Sequence, residues 1–372
     1  MTNNKKLALT GGYAAALALK HINPDVMAVY PITPQTPIIE VYSKFKADGE
    51  VDTEIIHVES EHSAMSACVG SSAAGARTVT ATSSQGLSLM NEVVYIAAGL
   101  RLPILMVVSA RALAAPINIH GDHSDVMGCR DSGWVQIFCE NPQEVYDKTI
   151  IGMKLAEAVK FPVMVIMDGF NTSHSVENME DLDAEVVKKF VGEYKPEKYL
   201  LDMDNPITVG PVALQNSYFE FRKDMADDFE NIQKEYGKIC AEYGKISARE
   251  YGIFENYKID NAEKVIIAMG SVCGTIKDAI DKMEDEKVGL LQLSLFRPFP
   301  YEDIKKALSK AKEVIVMDRN LAFGTKQVLA SEISHAIGKE VKSFVYGLGG
   351  RDTFQKQIID MVKGKFENNF LM

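Results

Sequence analysis

A proline-rich loop carries two hydroxyl groups directly after a predicted buried strand. The loop Tyr30–Pro37 follows the apolar run Val26–Val29, and its three prolines exclude a continuing strand or a helix interior. The pattern also predicts a helix with Thr36 as N-cap and Pro37 in its first turn. Ligands of open α/β sheets bind at the carboxyl ends of strands. The loop therefore either presents Thr33 or Thr36 to a ligand or serves only as a stiff connector.

Two charged residues follow other predicted strands. Arg111 comes after the apolar strand Ile104–Val108, where its planar guanidinium suits a carboxylate ligand. Glu61 opens a helix of small residues, where the helix dipole stabilises a negative charge. Each position also has a structural interpretation, because Arg111 can form a salt bridge and Glu61 can simply be a favourable charge at a helix start.

The segment Ile119–Met127 has the composition of a metal site but not its spacing. It holds His120, Asp122, His123 and Asp125 in a stretch that is predicted to be a loop, and no helical spacing joins them. The five cysteines contain no CxxC pair, so neither a disulfide framework nor a zinc or iron–sulfur cluster is expected. We expect no metal on this chain, and any electron carriers to lie on another chain.

Strands and helices alternate between residues 8 and 170, which predicts a parallel sheet covered on both faces. The predicted helices are Gly11–Ile22, Pro37–Lys46, Glu61–Ala74, Gly86–Gly99 and Pro142–Val159. The predicted strands are Val26–Tyr30, Glu54–Val58, Thr78–Thr82, Ile104–Val108, Val135–Phe138 and Pro162–Met167. The small residues of the third helix predict very close packing, either within the chain or against a partner chain.

The pattern changes between residues 172 and 260, which are polar and charged. A single helix is predicted over Asp227–Tyr257, with Tyr236, Tyr243 and Tyr251 near one face that we interpret as core-facing rather than as a binding surface. Alternation returns over residues 262–372. There Gly270–Gly274 opens a helix, but it lacks GxGxxG and a Walker lysine, which favours a plain turn over a phosphate site.

Composition narrows the classes of partner. Hydrophobic residues make up 47% of the chain and charged residues 24%, as in ordinary folded proteins. A net charge of −11 argues against nucleic acid or an anionic membrane as the main partner. We expect a cytoplasmic protein, because no segment has the uninterrupted apolar length of a signal core or a membrane span.

Four spaced motifs together resemble the α chain of the 2-oxoacid:ferredoxin oxidoreductases: Tyr30–Pro37, His57–Ala64, Ser109–Ala114 and Ile119–Met127. The resemblance is densest over residues 5–170 and continues through Leu295–Pro300 and Gly347–Asp352. It implies an α/β fold in which a parallel-sheet, pyrimidine-type thiamine diphosphate-binding domain precedes a transketolase C-terminal-like α/β domain. The expected boundaries are residues 1–195, a helical insert or linker at 196–260, and residues 261–372.

The resemblance also implies roles for individual residues. Glu61, rather than Glu59, is expected to accept a hydrogen bond from N1′ of the thiamine aminopyrimidine and so to favour the imino tautomer. Arg111 is expected to bind the oxoacid carboxylate, with a hydrogen bond from Thr33. The other expected cofactor-binding positions are Pro31 and Ile32.

Within the family the chain is most similar to the pyruvate:ferredoxin oxidoreductases, which convert pyruvate and CoA reversibly to acetyl-CoA and CO2 and pass electrons to ferredoxin. The chain has no Gly-Asp-Gly motif with a downstream Asn, so the resemblance places the diphosphate and Mg²⁺ on a β chain. It places the [4Fe-4S] clusters on partner chains of the β, γ and δ types.

Other functions stay open at this point. One is an α subunit for another 2-oxoacid, such as 2-oxoisovalerate, 2-oxoglutarate or oxalate, although no second basic residue beside Thr33 suits a dicarboxylate. Another is a non-catalytic assembly subunit, which the joint presence of Thr33, Glu61 and Arg111 argues against. A nucleotide-binding dehydrogenase is disfavoured because the chain lacks the glycine fingerprint of that class.

Overall fold

The computed structural model describes residues 5–283 and 285–372, and it has the α/β architecture that the alternating pattern predicts. The strands are β1 Lys6–Thr10, β2 Val26–Val29, β3 Glu54–His57, β4 Thr78–Thr82, β5 Leu105–Ala110, β6 Val135–Phe138, β7 Val163–Asp168, β8 Val176–Glu180, β9 Phe254–Tyr257, β10 Lys264–Ala268, β11 Val288–Leu293, β12 Leu295–Arg297, β13 Glu313–Asp318 and β14 Lys342–Val345. The helices are α1 Gly11–Ile22, α2 Thr36–Ala47, α3 Glu61–Ala73, α4 Ser84–Gly99, α5 Ser124–Gly128, α6 Pro142–Val159, α7 Ala184–Val191, α8 Tyr218–Glu230, α9 Ile232–Ser247, α10 Val272–Asp281, α11 Tyr301–Ala307, α12 Val328–Ile337 and α13 Gln355–Val362.

The larger sheet has seven strands in the order β12-β6-β7-β5-β4-β2-β3. All neighbouring pairs are parallel except β12 with β6. Every residue of β4, β5, β6 and β7 is buried, because helices cover a parallel sheet on both faces. The small-residue helix α3 packs directly against α4, β2 and β4, so at least one of its close contacts is within the chain.

A second sheet has five strands in the order β14-β13-β10-β11-β9, and only β9 is antiparallel to its neighbour. The two sheets are interlocked rather than strictly consecutive. Strand β12 lies after β11 in the chain, yet it pairs with β6 of the larger sheet. The motif Leu295–Pro300 therefore joins the two sheets, while the boundaries at residues 195 and 260 stay a prediction.

The prediction of a single helix over Asp227–Tyr257 was wrong. The chain forms α8 and α9, then leaves the helix at Ala248, which has a left-handed φ of 58°. Arg249 is held there by paired hydrogen bonds to Asp147, at 2.6 and 2.8 Å. The following residues then pair with β11 as strand β9, and this backbone pairing overrides the helical spacing of the tyrosines.

The tyrosine stripe does face the core. Tyr236 and Tyr243 are fully buried, and the hydroxyls of Tyr243 and Tyr251 both donate hydrogen bonds to Asp147. This burial confirms the core-facing interpretation. Short or irregular elements escaped prediction: β1 with β8, α5, α7, β12 and α13.

The start of α2 also differs from the prediction. Gln35, not Thr36, is the residue before the helix, and its side chain makes no capping hydrogen bond. Instead its amide group donates to the Tyr30 carbonyl at 2.9 Å, and its backbone N–H donates to the Ile32 carbonyl at 2.9 Å. The loop is thus closed on itself before the helix begins.

The order of the larger sheet brings four strand ends together. Strands β5, β4, β2 and β3 are consecutive neighbours and run parallel. The residues that follow them therefore lie along one edge, which is where open α/β sheets bind ligands. Arg111 follows β5, Thr33 follows β2 and Glu61 follows β3.

Candidate active site

Arg111 and Thr33 are in direct contact. The Arg111 Nη1 donates to the backbone carbonyl of Thr33 at 2.8 Å, and its Nε donates to the carbonyl of Asn118 at 2.9 Å. Within the part of the chain that the structure describes, Nη2 donates no hydrogen bond, and neither does the exposed Thr33 hydroxyl. A guanidinium with free donors beside a free hydroxyl can bind a small carboxylate.

Asp125 fixes the backbone on which Arg111 stands. Its Oδ2 accepts hydrogen bonds from the backbone N–H groups of Ser84, at 2.7 Å, and of Arg111, at 3.0 Å. Its Oδ1 accepts from the N–H of Val126 at 2.8 Å. Burial raises the pKa of Asp125 to about 7, although these three N–H groups oppose the shift. One carboxyl group thus joins the ends of β4 and β5.

Replacing Asp125 with alanine is expected to lower the thermal stability of the chain markedly. The variant leaves three buried backbone N–H groups without their acceptor, and a single unsatisfied buried group already costs about 1–3 kcal/mol. Thermal melting of the purified chain measures the effect. The matched control is Asp48→Ala, because Asp48 is exposed and its side chain makes no hydrogen bond among the described residues. Equal melting temperatures in the two variants would contradict the assigned role of Asp125.

Glu61 is the first residue of α3, after the N-cap Ser60, whose hydroxyl accepts from the N–H of Ser63 at 3.2 Å. Its side chain is buried against Gly86 near the start of α4. A Cβ at Gly86 would lie 2.8 Å from Glu61 Oε1 and 2.6 Å from Thr82 Oγ1. The Thr82 hydroxyl is itself buried and has no partner in the described residues.

These features fit the aminopyrimidine of thiamine diphosphate. Because Gly86 has no Cβ, the Glu61 carboxylate and the Thr82 hydroxyl can pack against its backbone, and a carboxylate beside a buried hydroxyl without a partner in the described residues suits a polar ring that both donates and accepts. Glu59 differs from Glu61, because it is exposed and accepts a hydrogen bond from the Ser63 hydroxyl that lowers its pKa. The geometry therefore favours Glu61 over Glu59 as the residue that faces a ligand.

The other two predicted cofactor residues lie on the Thr33 loop. Pro31 is exposed and Ile32 is half-buried, directly before Thr33 in the chain. In the described residues Glu61 forms no hydrogen bond or ion pair with Thr33 or Arg111. It is connected to them through α4, whose first residue Ser84 shares the Asp125 carboxylate with Arg111.

The histidine and aspartate segment is part of an internal network. The ring nitrogen Nε2 of His123 lies 2.7 Å from Asp168 Oδ1, and both side chains are 1% exposed. Asp168 Oδ2 also accepts from Arg319 Nη1 at 2.8 Å and from the N–H of Ser271 at 2.8 Å. No group of three His, Cys, Asp or Glu side chains within 5–283 and 285–372 is arranged to hold a metal ion.

This network ties the two sheets together at the candidate site. Burial disfavours a charged Asp168, but Arg319 and His123 more than offset it and hold the pKa of that carboxyl well below its usual range. Asp168 ends β7, whereas Arg319 follows β13 in the second sheet. The Asp168 carboxylate also lies against the turn at Gly270, which has φ of 76°, and it already accepts hydrogen bonds from the N–H and the hydroxyl of Ser271 in that turn.

Sequence reasoning missed several of these residues. Asp168 and Arg319 carry the same signal as Arg111, namely a charged residue at the end of an apolar strand, and that rule applied to every strand finds them. Thr82 and Gly86 carry no comparable signal, because their importance lies in a contact with Glu61 from a different strand end.

Family comparisons cover both sheets. Residues 17–239 match the thiamine diphosphate-binding model of pyruvate flavodoxin/ferredoxin oxidoreductase, and residues 262–358 match pyruvate:ferredoxin oxidoreductase core domain II. Among solved structures, a 2-oxoglutarate:ferredoxin oxidoreductase from Magnetococcus marinus has a TM-score of 0.71 at 20% identity, over 97% of this chain and 65% of that chain. A split-gene transketolase has a TM-score of 0.56 at 9% identity, covering 96% of this chain and 98% of its own. These two likenesses confirm the predicted fold.

Curated relatives match over nearly the whole chain. Pyruvate synthase subunit PorA of Thermotoga maritima is 48% identical over 99% of this chain and 96% of its own length. The subunit of the same name from Methanocaldococcus jannaschii is 49% identical over 92% of this chain and 90% of its own. Ketoisovalerate oxidoreductase subunit VorA of Pyrococcus furiosus is 44% identical, over 94% and 91%. Apart from these matches, the helices within residues 5–283 and 285–372 are all too short or too polar to span a membrane. The chain belongs to the pyruvate flavodoxin/ferredoxin oxidoreductase family, with both its thiamine diphosphate-binding region and its core domain II.

Proposed function

We propose that this chain is the α subunit of a pyruvate:ferredoxin oxidoreductase. The complex oxidises pyruvate reversibly to acetyl-CoA and CO2 in the cytoplasm and passes the electrons to ferredoxin. The observation that carries the proposal is Arg111, with free donors, held against the Thr33 loop at the sheet edge that also presents Glu61. Similarity to pyruvate synthase subunits over nearly the full chain supports the same function.

Each residue at the edge has one task in this function. Thiamine diphosphate, when bound, supplies the electron sink for cleavage beside a ketone carbonyl. Glu61 would accept a hydrogen bond from the ring nitrogen N1′ and stabilise a proton there, and its carboxylate is positioned by packing against Gly86. Arg111 Nη2 and the Thr33 hydroxyl bind the pyruvate carboxylate and orient it, and Pro31 and Ile32, on the same loop as Thr33, would contact the cofactor.

The remaining chemistry belongs to partner chains. The chain lacks a Gly-Asp-Gly motif for the diphosphate and Mg²⁺, which we assign to a β chain. Its five cysteines are free and buried, and burial raises the thiol pKa, to about 12 for Cys68, for example. No two of them have the CxxC spacing that cluster ligands commonly show, and in the described residues none belongs to a group of three side chains that could hold a metal ion. We therefore assign the [4Fe-4S] clusters to partner chains of the β, γ and δ types.

Purification of this chain alone tests whether the diphosphate, Mg²⁺ and iron–sulfur sites lie on partner chains. The isolated chain is expected to be colourless and to bind thiamine diphosphate poorly, whereas the complex from the native source is expected to be brown and to bind it tightly. Iron and sulfide analysis and calorimetric titration with thiamine diphosphate and Mg²⁺ give the two readouts. Bound iron and sulfide in the isolated chain, or cofactor binding as tight as in the complex, would contradict the proposal.

A further inference from the structure

The glycine-rich turn Leu348–Gly350 follows β14 of the second sheet and lies against the segment that supports Arg111. The N–H of Gly350 donates to the carbonyl of Gly121 at 2.8 Å. The carbonyl of Gly349 accepts from the Asn118 side-chain amide at 3.0 Å. Gly349 and Gly350, which follow the second sheet, are therefore hydrogen-bonded to both ends of the segment 118–121, which follows β5 of the larger sheet.

Asn118 connects this turn to the guanidinium. Its backbone carbonyl accepts the hydrogen bond from Arg111 Nε at 2.9 Å. Its side-chain Oδ1 accepts from the N–H of His120 at 2.7 Å, and the carbonyl of His120 in turn accepts from the N–H of Ala112 at 3.1 Å. The position of the Arg111 side chain thus depends on a residue whose own amide group is held by Gly349.

Close packing requires glycine at both contacts. Gly349 and Gly350 have φ of 60° and 78°, in the left-handed region. A Cβ at Gly349 would lie 2.3 Å from Asn118 Nδ2, and a Cβ at Gly350 would lie 2.4 Å from the Cβ of His120. A larger residue at Gly349 must therefore move the Asn118 amide group, and one at Gly350 must move the His120 side chain from its Cβ outward.

We propose that Asn118 and the turn Leu348–Gly350 position Arg111 for the substrate carboxylate, so that the second sheet takes part in oxoacid binding. This inference rests on the proposed function, because it assumes that Arg111 binds the carboxylate. Asn118 and Gly349 are positioning residues, since they act through the Arg111 guanidinium and the backbone around it.

The test measures pyruvate kinetics in the assembled complex. Asn118→Ala removes the side-chain hydrogen bonds to the Gly349 carbonyl and from the N–H of His120, and is expected to raise KM for pyruvate about 3- to 10-fold, the scale of losing neutral hydrogen bonds. Gly349→Ala is expected to raise KM about 10-fold or more. In both variants kcat should stay within about 2-fold and the Kd for thiamine diphosphate should not change. Gly338→Ala is the matched control. Gly338 is the C-cap of α12 and has a left-handed φ of 68°, similar to that of Gly349, but a Cβ there would contact nothing within 4 Å.

A double-mutant comparison separates positioning from general damage. Because Asn118 acts through Arg111, adding Asn118→Ala to Arg111→Ala should leave KM within about 2-fold of the Arg111→Ala value. Additive effects, or an unchanged KM in both Asn118→Ala and Gly349→Ala, overturn this inference and leave the proposed function intact. An unchanged KM in Arg111→Ala overturns both the inference and the assigned substrate site. Equal effects of Gly349→Ala and Gly338→Ala also overturn it, since strain alone then accounts for the loss.

Discussion

Replacing Glu61 with glutamine is expected to reduce kcat of the assembled complex at least about 100-fold, the usual scale for losing acid–base assistance. Glutamine keeps the shape of the buried side chain that packs against Gly86, so we expect cofactor binding to persist. It is neutral, however, and cannot stabilise a proton on the pyrimidine nitrogen. Steady-state reduction of a viologen dye by pyruvate measures the loss, and titration of the complex with thiamine diphosphate shows whether the cofactor still binds.

Glu59→Gln provides the matched control. Glu59 has the same charge and lies two residues earlier, but it is exposed and bonded to the Ser63 hydroxyl. Its replacement is expected to change kcat by less than about 3-fold, as for an exposed hydrogen bond. A large loss in Glu59→Gln with a small loss in Glu61→Gln would show that the catalytic role belongs to Glu59 and that its assignment to Glu61 is wrong.

Replacing Arg111 with alanine is expected to lower kcat/KM for pyruvate about 10- to 150-fold, because a hydrogen bond to a charged group contributes about 1.5–3 kcal/mol. Arg111→Lys keeps the charge but loses the planar donors, so we expect a loss here also. Thr33→Val removes one neutral donor, which is worth about 0.5–1.5 kcal/mol, or about 2- to 12-fold. Pyruvate saturation curves measured beside cofactor titrations give all three values.

The cofactor titrations should be unchanged in these variants, since neither Arg111 nor Thr33 is assigned to thiamine. Arg222→Ala is a suitable control, because Arg222 is exposed on α8, and Asp228 of that helix pairs with Arg101, which precedes β5 rather than following it. Unchanged pyruvate kinetics in Arg111→Ala would remove the carboxylate site from this edge of the sheet.

The candidate site residues were predicted partly from local signals and partly from the resemblance to a known family. Thr33 and Arg111 each follow an apolar strand, Glu61 follows the more polar strand β3, and the parallel sheet brings those strand ends side by side. The contact between Arg111 and the Thr33 carbonyl follows from that topology. Their roles toward cofactor and substrate stay predictions that the variants above test.

Long-range contacts account for what the sequence did not reveal. Asn118 and Gly349 are 231 residues apart, and nothing in either segment points to the other. Strand β12 has three residues, too few for an alternating pattern to be visible, yet it joins the larger sheet. The tyrosine spacing near residue 250 indicated a helix, but pairing with β11 stabilises a strand there instead.

The choice of oxoacid is the part of the function on which similarity is least decisive, because relatives named for pyruvate and for ketoisovalerate both match most of the chain. The most direct measurement is therefore viologen reduction by the native complex that co-purifies with this chain, with CoA present and with pyruvate, 2-oxoisovalerate, 2-oxoglutarate and oxalate as substrates. We expect CoA-dependent reduction with the highest kcat/KM for pyruvate. No reduction with pyruvate, or a higher kcat/KM for any of the other three acids, would contradict the proposed function.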